Sequence, residues 1–384
     1  MKNTKINSDS FNEETFEELK KKYKLAIKGK NEKVRLEAFI NLGSLYYESK
    51  KYEESEYYLL KALSFFSGKK SGSKLSLVYK TLGLVNLRLF NLVKAEEYLK
   101  KALDLTSKKN KRVISFIHET IGDVYTRMSK NSEGLKFYFS ALALRKELEF
   151  HKGIAETLNK IGVNYYYQSD YEKAMTYLNE SLKMREERKE KKESIAACLN
   201  NLCLTHFRKG EYQKALEYGL MAEKLFKESN NFEGQGMAYN NLGLIYFEMS
   251  LFSEALECQF KALKIKEDTN NKSSIANTLG NIGMIFTKLF NLEKALEYST
   301  EGLKLREEIN DMRGISYSYN EIGRIYDKMN DFDKAIWYLS ESIRIKRELS
   351  ILSGLPPSLE NLGMVYLKQK KYEDAEKCLF EAKK

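Results

Sequence analysis

The residues best suited to covalent or metal chemistry are few and scattered. The chain has 384 residues, with three histidines, His118, His151 and His206, and four cysteines, Cys198, Cys203, Cys258 and Cys378. None falls in an HExxH or CxxC pattern, and neither GxSxG nor GxxxxGK[ST] occurs, so the signatures of a zinc hydrolase, a thiol redox centre, an acyl-serine and a P-loop are missing. SGKKSGSK at 67–74 carries glycines and lysines, but at the wrong spacing for a phosphate loop and with no strand before it. Carboxylates are common, yet no pair stands apart as an acid/base couple. The sequence predicts no enzyme, no cofactor and no metal site. It predicts reduced, mostly buried thiols, with His118 and His206 as core replacements and His151 in a loop.

One side chain with two-way hydrogen-bonding capacity does recur regularly. Asparagine stands at 41, 201, 241, 281 and 361, and again at 159, 200, 240 and 320. An amide is donor and acceptor together, and it costs about 0.5 kcal/mol or more in a helix interior relative to alanine. The recurrence therefore asks what elements carry it.

The answer is an internal repeat. Gly43, Gly83, Gly122, Gly162, Cys203, Gly243, Gly283, Gly323 and Gly363 are spaced by 40 residues with slips of one, which makes nine copies. Leu or Ile precedes every anchor, and Tyr or Phe stands three after it in seven copies; Asn86 and His206 replace it in copies two and five. That four-residue step places both on one helical face. A second helix is expected to begin about nine residues after the anchor. Small residues follow twelve after it, Ala95, Ala174, Ala215, Ala255, Ala295, Ala335 and Ala375, where two helices must approach closely. Only two prolines occur in the chain, which also favours an all-α fold. Copy three is the weakest, with Asn131 and Gly134 where core residues are expected.

This combination resembles the tetratricopeptide repeat family, in the long-repeat form of Pins/LGN-type adaptors and many bacterial signalling proteins. The period exceeds the family's usual one, and its repeat-ending proline is missing. The resemblance implies a right-handed α-solenoid of nine antiparallel helix pairs, at 33–70, 73–110, 112–149, 152–190, 193–230, 233–270, 273–310, 313–350 and 354–384. Residues 1–10 are expected to form a disordered tail and 11–32 a capping helix. The last helix stops short and uncapped, which suggests a covering partner, self-association through that end, or a longer parent protein.

In such arrays the first helices line a concave groove, and by resemblance the asparagines face it. Counting from the anchor at about 100° per residue, offsets −6, −2, +1 and +5 form one stripe away from the core. In copies five to nine this stripe holds Asn277, then Asn201, Asn241, Asn281 and Asn361, then Leu204, Leu244 and Met284, then Arg208, Lys288, Lys328 and Lys368. An asparagine ladder would hold a peptide backbone irrespective of its sequence, Leu and Met would take apolar side chains, and the basic row would favour an acidic partner. The alternative is structural: asparagines that brace neighbouring repeats, apolar residues packed between helices, and a solvated basic face. Offset −2 is assigned to ligand contact and offset −3 to bracing.

The net charge of +11 fits an acidic partner. The expected function is a cytoplasmic protein-interaction scaffold that binds an extended, acidic peptide segment. The alternative is a sensory or regulatory module whose output domain, a kinase, cyclase or transcription regulator, lies elsewhere. Nucleic acid is a weaker rival, resting on SKKNKR at 107–112 and the lysines of 69–74. No secretory signal or membrane span is read from the sequence.

Overall fold

The computed structural model describes residues 13–66, 72–269 and 271–383. The expected tail at 1–10 and residues 67–71 of SGKKSGSK lie outside the described residues. Contacts divide the chain into two compact units, residues 1–187 and 188–384, a division between copies four and five that the repeat pattern does not announce.

The first unit holds α1 (Glu13–Ile27), α2 (Glu32–Glu48), α3 (Tyr52–Ser64), α4 (Gly72–Arg88), α5 (Leu92–Asp104), α6 (Lys111–Arg127), α7 (Asn131–Glu147), α8 (His151–Tyr167) and α9 (Tyr171–Glu187). The second holds α10 (Lys192–Lys209), α11 (Tyr212–Glu228), α12 (Phe232–Glu248), α13 (Phe252–Asp268), α14 (Lys272–Lys288), α15 (Leu292–Glu308), α16 (Met312–Lys328), α17 (Phe332–Glu348), α18 (Leu355–Lys368) and α19 (Tyr372–Ala382). The described residues are all-α. Each even-numbered helix is the first of a copy and the odd-numbered one after it the second, as the solenoid reading requires. Ahead of them, α1 packs Phe16 edge-on against Tyr46, with centroids 5.7 Å apart.

The turn inside every copy is the same. The seventh residue after the anchor has positive φ: Lys50, Phe90, Ser129, Ser169, Gly210, Ser250, Phe290, Asn330 and Lys370. The next N–H then returns to a carbonyl five residues back, as Leu251 does to Tyr246 at 2.8 Å and Asp331 to Tyr326 at 3.0 Å. This closes the orphan carbonyls of the first helix. Eight of the nine are not glycine, so packing imposes the left-handed residue against a local cost of about 1 kcal/mol.

Packing explains the repeat positions. The +3 aromatic stacks on an aromatic at +15 of the same copy, in Tyr46–Tyr58, Tyr125–Phe137, Tyr165–Tyr177, Phe286–Tyr298 and Tyr326–Tyr338. His206 takes the same place, 5.2 Å from Tyr218, with Nδ1 donating to Glu211 Oε2 at 2.6 Å. His118 packs edge-on against Phe137. Gly134 is buried at the small +12 position of a regular 17-residue helix, so copy three does not loosen there.

The anchor has no room for a side chain. A Cβ on Gly83 would lie 2.5 Å from Leu99 Cγ, and one on Gly323 2.7 Å from Leu339 Cγ. Both leucines stand sixteen residues after their anchor. Copy five inverts the arrangement: Cys203 occupies the anchor, and the +16 residue is Gly219, whose added Cβ would meet Cys203 Sγ at 3.1 Å and Leu242 Cδ2 at 2.8 Å. The one anchor that is not glycine is thus matched by the one +16 residue that is.

Candidate ligand-binding face

Adjacent first helices are joined by a repeated pair of side chains. Asn241 Nδ2 donates to Asn200 Oδ1 at 2.9 Å, Asn281 Nδ2 to Asn240 Oδ1 at 3.2 Å, and Asn361 Nδ2 to Asn320 Oδ1 at 3.2 Å. In each, the −2 residue of one copy reaches the −3 residue of the copy before. The pair is charged between copies three and four, where Lys160 Nζ lies 3.2 Å from Glu119 Oε1 and 2.6 Å from Asp123 Oδ2. Bracing, expected of −3 alone, therefore engages both positions. Asn241 is buried, whereas Asn201, Asn281 and Asn361 are half-buried.

A second link runs beside the first. Twenty-three residues after the anchor, near the end of the second helix, stand Arg145, Arg185, Lys266, Arg306 and Lys346. Four of them donate to a hydroxyl five residues before the next anchor: Arg145 to Thr157 at 2.6 Å, Lys266 to Thr278 at 2.6 Å, Arg306 to Ser318 at 2.7 Å and Lys346 to Ser358 at 2.6 Å. In the second unit their partners are hydroxyl, amide and carbonyl oxygens; Arg306 also donates to Gly314 O at 2.6 Å and to Asn277 Oδ1 at 2.8 Å. Sequence reasoning missed this column, although the same alignment of copies displays it.

Burial without a carboxylate partner disfavours the charged form, and it pushes Lys266 and Lys346 down to about 8. Lys346 is 2% exposed. Its folded-state pKa lies below that of the unfolded chain, so both states are protonated below pH 8. Between pH 8 and 10.5 the unfolded state holds more proton, and stability rises with pH. Relative to Lys346→Met, the wild type should gain about 3 kcal/mol across that window. Paired urea titrations at pH 7.5 and 10.5 check this; a constant difference would refute it.

The other anticipated residues lie on the first helices of the second unit. Leu204, Leu244 and Met284 are half-buried, Asn277 is exposed, and Arg208, Lys288, Lys328 and Lys368 are exposed. Three of the basic residues reach back to the preceding copy. Lys328 Nζ sits 4.8 Å over the Phe290 ring, Lys288 Nζ 6.0 Å from Phe247, and Lys368 pairs with Asp327 at 2.6 Å.

Between α14 and α16 there is a cavity of about 510 Å³. Its walls include Asn277, Gly280, Asn281, Met284, Arg306, Glu321 and Arg324. It lies where the amide pair is interrupted: the −2 residue is Glu321, and the −3 residue of the copy before is Gly280. Glu321 Oε2 accepts from Arg324 Nη1 at 2.8 Å, while Oε1 is buried with no donor. Burial raises the Glu321 pKa, and Arg324 opposes that rise. Ser299 Oγ and Arg306 Nε, on two other residues of the wall, are also buried without partners.

Comparison with known proteins agrees with this architecture. Among curated proteins none matches the chain in sequence. The structure of the apo form of RapI is 17% identical, with a TM-score of 0.65, covering 91% of this chain and 97% of that one. A Rap protein complexed with Competence and Sporulation Factor is also 17% identical, with a TM-score of 0.63, covering 86% and 90%. A signal transduction ATPase with a tetratricopeptide repeat sensor, from Pyrococcus horikoshii, is 16% identical with a TM-score of 0.61, covering 85% of this chain and 52% of that one. At these identities the likeness is one of fold. Tetratricopeptide repeat profiles match residues 34–108, 114–187, 194–268, 274–348 and 356–384. With the helix pairs, the anchors and their close approaches repeated through those segments, the chain belongs to the tetratricopeptide repeat family.

Proposed function

We propose that the chain is a non-enzymatic interaction scaffold whose second unit binds an extended, acidic peptide segment along the first-helix face of α10, α12, α14, α16 and α18. The observation that carries this reading is the composition of that face. Half-buried Leu204, Leu244 and Met284 alternate with the amides of Asn201, Asn281 and Asn361, beside exposed Arg208, Lys288 and Lys328. Apolar patches take side chains, and a basic margin raises encounter rate and selectivity for an acidic chain. Each bracing amide has a second N–H and further acceptor capacity for a peptide backbone. Among solved structures of this fold, one is described as a complex with Competence and Sporulation Factor, which supports a ligand-binding role. No helix of the described residues is long and apolar enough to cross a membrane.

The test is selection of random 12-residue peptides displayed on phage against the whole chain. Selected peptides should be rich in Asp and Glu. Lys288→Glu with Lys328→Glu should weaken them about tenfold, roughly 1.4 kcal/mol, while exposed changes of this kind leave the melting temperature nearly unchanged. Binding indifferent to the reversal, or no selected peptide at all, would count against the face.

A further inference from the structure

We propose that the cavity beside Gly280 is a subsite for a primary carboxamide side chain, glutamine or asparagine, carried by the segment bound to the first-helix face. The inference rests on that functional reading and narrows it.

Between copies five and six, six and seven, and eight and nine, an amide nitrogen at −2 meets an amide oxygen at −3. Between copies seven and eight the amide at −3 is replaced by a hydrogen atom, that of Gly280. The backbone does not demand glycine there, because Gly210 is the glycine with positive φ and Gly280 is not. Nor does packing demand it: a Cβ on Gly280 would find one neighbour, Arg306 Nη2, at 4.0 Å. This differs from the anchor glycines, each of which lies under a side chain. A mid-helix glycine costs about 1 kcal/mol relative to alanine, and here the result is open volume.

That volume has chemistry on its walls. Glu321 Oε1 is an acceptor without a donor, and Ser299 Oγ is a hydroxyl without a partner. Arg324 uses Nη1 on Glu321 and is half-buried at the wall, with further N–H groups to offer a carbonyl oxygen. An entering ammonium or guanidinium would satisfy Glu321 but would face Arg306 and Arg324. A carboxylate would satisfy the arginines but would face Glu321. An apolar side chain would leave the buried polar atoms unpaired, and each such atom is costly. A carboxamide is neutral, donates to Glu321 Oε1 and accepts from Arg324. It is also the group that three other junctions of the second unit supply from within the chain. A cavity of about 510 Å³ holds such a side chain with part of its backbone.

The experiment uses peptides selected by phage display on the whole wild-type chain, then titrated as synthetic peptides. Selected sequences should share Gln or Asn at one fixed position, and replacing it with Leu should weaken binding about tenfold. On Gly280→Asn, which restores the missing amide and fills the cavity, the same replacement should change affinity less than twofold. That variant should melt no lower than wild type. If it does melt lower, Glu321→Leu, which removes the acceptor, serves as the second variant with the same expected loss of selectivity. Peptides that bind and are weakened by Lys288→Glu with Lys328→Glu, but show no amide preference, overturn the subsite alone. An amide preference undiminished on both cavity variants also overturns it. Failure to select any peptide overturns the functional reading and the subsite together.

Discussion

Replacing Glu119 by alanine should destabilise the first unit by about 3–5 kcal/mol. Glu119 and Arg145 are each 2% exposed. Arg145 Nη1 donates to Glu119 Oε2, which also accepts from Thr157 Oγ1 at 3.1 Å, while Lys160 stands 3.2 Å from Oε1. Removing the carboxylate leaves a guanidinium in a low-dielectric interior, with Gly153 O at 2.8 Å and Thr157 Oγ1 as remaining hydrogen-bond acceptors, the Phe150 ring 5.9 Å away and the Glu156 carboxyl within electrostatic reach. The cost is that of an uncompensated charge rather than the net worth of the pair. Glu119→Leu with Arg145→Met should therefore lose less than Glu119→Ala alone. Helical circular dichroism in urea measures the loss, and the single tryptophan, Trp337, reports the second unit separately. A Glu119→Ala chain as stable as wild type, or a double variant no better than the single, would contradict this reading.

The second large effect is expected at the inverted anchor. Gly219→Leu alone should cost about 3 kcal/mol, since its Cβ is within 3.1 Å of Cys203 Sγ and 2.8 Å of Leu242 Cδ2. Cys203→Gly alone should cost about 1–2 kcal/mol, from a void and a helical glycine. The double variant recreates the Gly162 and Leu178 arrangement of copy four. It should be more stable than Gly219→Leu by about 2 kcal/mol, a coupling within the range for residues in contact. Additive losses in a double-mutant cycle would show that the two positions do not compensate. The same pairing explains why Cys203, buried and with its pKa pushed up to about 12 by desolvation, is a packing residue and not a nucleophile.

The helices, their pairing and most of the core were legible because one alignment of nine copies overdetermines them. Leu42, Leu82 and Ile121 precede their anchors and are fully buried, as their recurrence requires. The +7 turn was not legible, because Lys50, Phe90, Ser129 and Asn330 share no chemistry; their left-handed backbone follows from where the two helices must pack. The candidate face was legible as a stripe of residue types, but not as a set of bonds. Which amide meets which depends on how far one copy is displaced from the next, and no single helix carries that quantity. Hence Asn241 was expected to meet a ligand and is found braced on Asn200. Gly280 and Glu321, which break the pattern, gained meaning only once the unbroken pairs were in view. Arg306 and Lys346 are buried, although a basic residue in a charged second helix reads as surface.

The braces have a consequence for how the chain is made. The junction bonds link residues 41 apart, as from Asn281 back to Asn240, or 12 apart, as from Lys346 forward to Ser358. Contacts that local reward the closing of short loops, and repeat arrays can grow from any formed copy by adding neighbours. A nascent chain leaving the ribosome can thus complete each junction once about one further repeat has emerged. Each newly ordered copy then presents the next with amide acceptors already positioned. Biosynthesis would proceed as templated growth from the amino end, without the long wait for distant segments that a β-sandwich of similar length imposes.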